Sequence, residues 1–116
     1  MAIQWTPLES VEQLHEIKLL SETTPCVIIK HSTRCSISTV ALERLNGTPA
    51  PSTGAHYFYL DLLKFRPVSN SVAEQFQIHH ESPQVLLISN GQCVYEETHL
   101  GIDPVELQSE INKYLQ

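Results

Sequence analysis

The sequence is poor in charge, in basic residues and in glycine. Charged side chains are 17% of the 116 residues, and seven Lys or Arg face thirteen Asp or Glu. The resulting net charge of −6 argues against non-specific nucleic-acid binding and against an anionic membrane surface. No apolar run approaches the roughly 20 residues of a membrane-spanning helix. The longest, Val27-Ile28-Ile29 and Val85-Leu86-Leu87-Ile88, are strand-length. The opening MAIQWTPLES has neither a basic flank nor an apolar stretch, so no signal peptide is expected. The three cysteines are widely spaced, and neither C-x-x-C nor H-x-x-x-H occurs. A secreted disulfide framework and a structural metal site are therefore not expected, and a reducing, cytoplasmic compartment is the default.

What is present suffices for one packed domain. Hydrophobic residues are 41% and mean hydropathy is −0.13, so residues 1–116 are read as a single folded unit.

The first helix is predicted over Ser10 to about Ser21. Ser10 and Gln13 have capping-box spacing, and Val11, Leu14 and Ile17 repeat at helical intervals. Pro25 opens CVIIK, an apolar and β-branched run that reads as a strand covered on both faces. A second helix is predicted from about Cys35 to Leu45, stopped by Asn46-Gly47. Asn46 to Ala55 has loop composition, and His56 to Leu60 is an aromatic strand.

Pro67 to about Ile78 reads as a third helix with Val68, Val72 and Phe76 on one stripe. Gln84–Ser89 and Gln92–Glu97 are strands joined by Asn90-Gly91, a strong hairpin signal. After Gly101, Asp103-Pro104 caps a last helix whose stripe is Leu107, Ile111, Tyr114 and Leu115. The order α-β-α-β-α-β-β-α, without its leading helix, is thioredoxin-like. It predicts a four-stranded mixed α/β sheet with helices on both faces plus an N-terminal helix.

Cys35 carries the chemistry. It follows a buried strand by the turn His31-Ser32-Thr33-Arg34 and opens a helix. Unpaired backbone N–H groups and the helix dipole favour an anion there, and Arg34 adds a fixed cation. An ordinary thiol, with pKa about 8.5, is only a few per cent thiolate at pH 7, so such a setting matters for a nucleophile. Most cysteines are simply small buried hydrophobes. That is the reading for Cys26, in the first strand, and for Cys93, in the hairpin return strand.

Cys35-Ser36-Ile37-Ser38 is C-x-x-S. A cysteine at the last position would resolve a mixed disulfide internally. Ser38 has no sulfur to exchange and is expected to donate a hydrogen bond to the Cys35 sulfur. The site should stop at the mixed disulfide and need an external thiol.

Ser82-Pro83 stands directly before the third strand. A cis-proline at that place in a thioredoxin-like order faces the cysteine and leaves neighbouring backbone open to an extended substrate. An ordinary trans proline at a strand start is the plain alternative. With Thr33, Ser82 and Pro83 are the expected substrate-binding residues. His31 is open between tuning the thiol and satisfying a turn, and His99 is given no role.

The segments KHSTRCSIS (Lys30–Ser38) and ESPQVLLI (Glu81–Ile88) closely resemble the monothiol bacilliredoxins, the YtxJ-like proteins of the bacillithiol system. Trp5, the helix start Arg66-Pro67-Val68-Ser69-Asn70 and the Asn90-Gly91 hairpin fit the same pattern. The resemblance implies a thioredoxin-like fold and removal of bacillithiol from S-thiolated client proteins. It implies Cys35 as nucleophile, Ser38 in the place of a resolving cysteine and Pro83 as the cis-proline. It implies no bound cofactor, only a low-molecular-weight thiol as co-substrate. Two other classes remain open: a monothiol glutaredoxin-like iron–sulfur cluster carrier, and a thioredoxin-like binding module without catalysis.

Overall fold

The computed structural model describes residues 4–47 and 55–115. Most of the loop expected at Asn46–Ala55 lies outside them. The elements are β1 (Trp5–Pro7), α1 (Val11–Leu20), β2 (Cys26–His31), α2 (Ser36–Asn46), β3 (His56–Asp61), α3 (Arg66–Gln75), β4 (Gln84–Ser89), β5 (Gln92–Thr98) and α4 (Pro104–Asn112). A short 3-10 turn, His99–Gly101, joins β5 to α4.

The sheet has five strands, not the expected four, in the order β1-β3-β2-β4-β5. The added strand, Trp5–Pro7, runs parallel to β3 at one edge. It is three residues long and ends in proline, so it carries no alternating pattern to read. Its place is fixed by long-range contacts instead. Trp5 Nε1 donates to Asn46 Oδ1 at 2.7 Å, and the Trp5 ring meets Tyr57 edge-on at 5.5 Å.

β2 pairs parallel with β3 and antiparallel with β4, and every residue of β2 and β4 is buried. These two central strands are the apolar runs of the sequence. Helices cover both faces. Leu14, Ile17, Val68 and Val72 pack with Cys26, Ile28, Leu86 and Ile88 on the α1/α3 face. Ala41, Leu45, Leu107 and Ile111 pack with Val27, Ile29, Val85 and Leu87 on the α2/α4 face.

The local signals explain the element ends. Ser10 and Gln13 form the reciprocal capping box of α1. Asp103 caps α4 by accepting from Val105 N at 3.2 Å. The hairpin turn has φ of 51° at Asn90 and 73° at Gly91, the left-handed pair that a two-residue turn of this kind demands. Helix α3 stops at Gln75 rather than Ile78, because Gln77 turns left-handed at φ 54°. Its Phe76 stays in the core. Helix α4 ends at Asn112 and leaves Leu115 exposed.

Candidate active site

Cys35 is the N-cap of α2, with extended backbone angles φ −109° and ψ 120°. Its N–H donates to Ser32 O at 3.2 Å, and its carbonyl accepts from Thr39 N at 3.1 Å. The turn and the first helical turn thus hold its backbone from both sides. The side chain is half-buried, and no cap hydrogen bond engages its sulfur.

The other two thiols are placed differently. Cys26 is buried and points its S–H at Thr24 O, 3.5 Å away. Burial pushes its pKa up to about 12. Cys93 donates to Tyr95 O at 3.3 Å, and burial raises its pKa too. All three cysteines are free. Only Cys35 combines a helix N-terminus with an uncommitted sulfur.

Ser38 does not do what its spacing suggested. Its hydroxyl accepts from Ser32 N at 3.0 Å and meets His31 Nδ1 at 2.8 Å. No hydrogen bond joins it to Cys35 Sγ. Burial lowers the His31 pKa, against the opposing pulls of a backbone hydrogen bond to Ser38 and of Asp61. The Ser38 oxygen has two lone pairs and one proton, so it holds Ser32 N–H and the His31 ring together, with the imidazole tautomer setting which of the last pair donates. The His31 ring also lies 5.5 Å from Tyr59. The result is a buried tie from β2 through the turn to α2, which fixes the loop that presents Cys35.

The Ser82–Pro83 peptide is cis. The pairing of Lys30 with Gln84 puts Pro83 beside the end of β2, at the end of the sheet from which the Cys35 turn departs. Pro83 O accepts from His99 N at 3.0 Å. This gives His99 a backbone role that its sequence context did not reveal, and its Nε2 lies 3.8 Å from Glu81 Oε1. The Ser82 hydroxyl is buried with no hydrogen-bond partner, and its backbone pairs with no other backbone group among the described residues. Thr33 and Arg34 are exposed on the turn.

The sequence model of the monothiol bacilliredoxin BrxC family matches residues 6–107. The chain belongs to that family. Solved structures place the fold in the same class. One, described as having a thioredoxin fold, is 26% identical with TM-score 0.77, and 91% of each chain is covered. A thioredoxin from Nicotiana alata is 19% identical with TM-score 0.74, covering 100% of this chain and 96% of its own. Spinach chloroplast thioredoxin f is 12% identical with TM-score 0.72, covering 97% and 95%. The bacilliredoxin family and the thioredoxin fold together support a thiol redox function.

One feature of this bacilliredoxin escaped the sequence reading. Lys30 is fully buried and has no carboxylate partner among the described residues. Its Nζ lies 3.2 Å from Ser69 O on α3 and 3.0 Å from His80 Nδ1. Burial pushes its pKa down to about 8. Burial, then the Lys30 and Arg66 charges, lower the His80 pKa. The lysine thus ties β2 to α3 and to the segment before Pro83. The legible signal was a lysine ending a strand apolar on both faces. Among the described residues no three His, Cys, Asp or Glu side chains converge as a metal site. No helix there is long and apolar enough to cross a membrane.

Proposed function

We propose that this chain frees client proteins from mixed disulfides with a low-molecular-weight thiol, bacillithiol, by nucleophilic attack of Cys35. The thiolate of Cys35 attacks the small-thiol sulfur. The client sulfur leaves with the bond's electron pair and takes a proton from water. The small thiol is then disulfide-bonded to Cys35. Ser38 brings no second sulfur, so a second molecule of the small thiol attacks the adduct and restores Cys35. One disulfide is exchanged at each step, and no oxidant or bound cofactor is needed.

The observation that carries this reading is the contrast among the three thiols. Cys26 and Cys93 are buried or half-buried donors to carbonyls, whereas Cys35 stands at a helix N-terminus with an uncommitted sulfur. Arg34 is the residue directly before it. Thr33 and the unpaired backbone of Ser82, beside Pro83, are groups that an extended client segment can pair with. Exposed Ile37 and Val40 on α2 add apolar contact. The setting this chemistry requires is a reducing one, such as the cytoplasm.

Intact-protein mass spectrometry after mixing with an S-bacillithiolated client tests it. The small-thiol mass should appear on Cys35 as the client is freed, and Cys35→Ser should abolish transfer. Mass on Cys26 or Cys93, or a freed client with Cys35→Ser, would overturn the assignment.

A further inference from the structure

We propose that the cavity lined by Thr33, Arg34, Asp61, Leu63 and Lys64 is the subsite for the small thiol, and that it selects thiols bearing carboxylates. The proposal rests on Cys35 as the reacting sulfur and names what holds the rest of the small thiol. The cavity measures about 450 Å³, and Arg34 on its wall is the residue directly before Cys35.

Two loops make it. Thr33 and Arg34 come from the β2–α2 turn, Asp61 from the end of β3, and Leu63 and Lys64 from the β3–α3 turn. Pairing of His31 with Asp61 sets the two turns side by side, and Leu62 N donates to His31 O at 3.1 Å. The second turn is rigid where it matters. Asp61 Oδ1 accepts from Leu63 N and from Lys64 N, each at 3.2 Å, so the backbone that carries Lys64 is preorganised.

Charge identifies the ligand class. The protein is acidic overall, yet three of its seven basic residues, Arg34, Lys64 and Arg66, are exposed on or directly after these two turns. Arg34 and Lys64 line the cavity and are exposed. Neither has a carboxylate at salt-bridge distance among the described residues. Lys64 instead rests its Nζ 5.5 Å from the centre of the Phe65 ring. Two exposed cations on the wall of a cavity that includes the residue before Cys35 fit carboxylate groups on the thiol being transferred. The Asp61 carboxylate can accept an amide or ammonium N–H of the same molecule, and exposed Leu63 offers an apolar wall.

The test compares Cys35 adduct formation from two small disulfides, anionic glutathione disulfide and neutral hydroxyethyl disulfide. The readout is the ratio of the two rates. Lys64→Glu should lower that ratio about tenfold or more, as expected when a charge-assisted pair becomes a repulsion. Lys64→Arg should restore it. An unchanged ratio, with the rate on hydroxyethyl disulfide retained, overturns the subsite, and amide spectra matching the native chain show that each variant compared is folded.

A binding arm needs no chemistry. In Cys35→Ser, S-methylglutathione should shift the amide resonances of Thr33, Leu63 and Lys64, and Lys64→Glu should remove the shifts. Absence of shifts at millimolar probe also overturns the subsite. If clients stay thiolated while these effects hold, the proposed function fails and the subsite stands. If clients are freed but the ratio is flat, the reverse is true.

Discussion

The three cysteines of this chain differ in what their sulfurs touch, and that difference sets their chemistry. Burial makes a thiol resist ionisation, at Cys26 and also at half-buried Cys93. Cys26→Ser and Cys93→Ser should therefore retain client release within about twofold, while Cys35→Ser loses it; client release followed by mass spectrometry decides this. The place of Cys35 was legible, because a cysteine between a buried strand and a capped helix has a distinct pattern. The partner of Ser38 was not legible. Four positions of C-x-x-S specify a helical turn but not a rotamer, and the rotamer is set by His31, which reaches the hydroxyl from the end of β2. Ser38→Ala should leave Ser32 N–H and His31 Nδ1 without that partner. Losing it should cost about 1–3 kcal/mol of stability, measurable by urea unfolding. If instead stability is unchanged and only Cys35 reactivity falls, the hydroxyl serves the sulfur and not the loop.

At the level of elements, the long periodic segments were readable and the short or tertiary ones were not. Helix α1 was marked by its capping box and β2 by unbroken β-branched residues. Strand β1 was invisible because three edge residues ending in proline owe their conformation to β3, not to themselves. The end of α3 was misplaced because Phe76 continues the apolar stripe after the helix has turned left-handed at Gln77.

Lys30 belongs to this scale, since it joins β2, α3 and the segment before Pro83. Its pKa falls from 10.5 to about 8 on folding. Between those values the unfolded chain holds a proton that the folded chain has released, so its contribution to stability rises with pH across that window. The full shift corresponds to about 3 kcal/mol. Cys26 opposes this above pH 9, because burial delays its ionisation to about 12. Comparing the protein with Lys30→Met cancels that term. The variant should be at its best relative to the native chain near pH 7, where a buried ammonium is replaced by an apolar chain. Urea unfolding at pH 7 and pH 10 should show the native chain gaining on it by up to about 3 kcal/mol. A pH-independent difference would mean that Lys30 keeps its ordinary pKa.

Across the whole molecule, net charge and local charge have opposite signs. The body carries −6, with Glu12 and Glu16 on α1, Glu96 and Glu97 on β5, and Glu106 and Glu110 on α4. Exposed Arg34, Lys64 and Arg66 gather at the thiol end, while Lys30 is buried and adds little to the outer field. Which sign a client feels depends on the screening length relative to the protein, whose extents are 34 × 29 × 21 Å. At about 0.01 M salt the Debye length is about 30 Å, so an acidic client meets the whole body and is repelled. At about 0.15 M it is about 8 Å, so the client meets mainly the basic end and is attracted. At about 1 M it is about 3 Å, and that attraction is lost as well. The second-order rate of release from an acidic thiolated peptide should therefore rise and then fall with salt, with its maximum near physiological ionic strength. Arg66→Glu should flatten the falling limb, since it reverses a charge at that end. A rate that only rises with salt would show that the basic end does not face the client during attack.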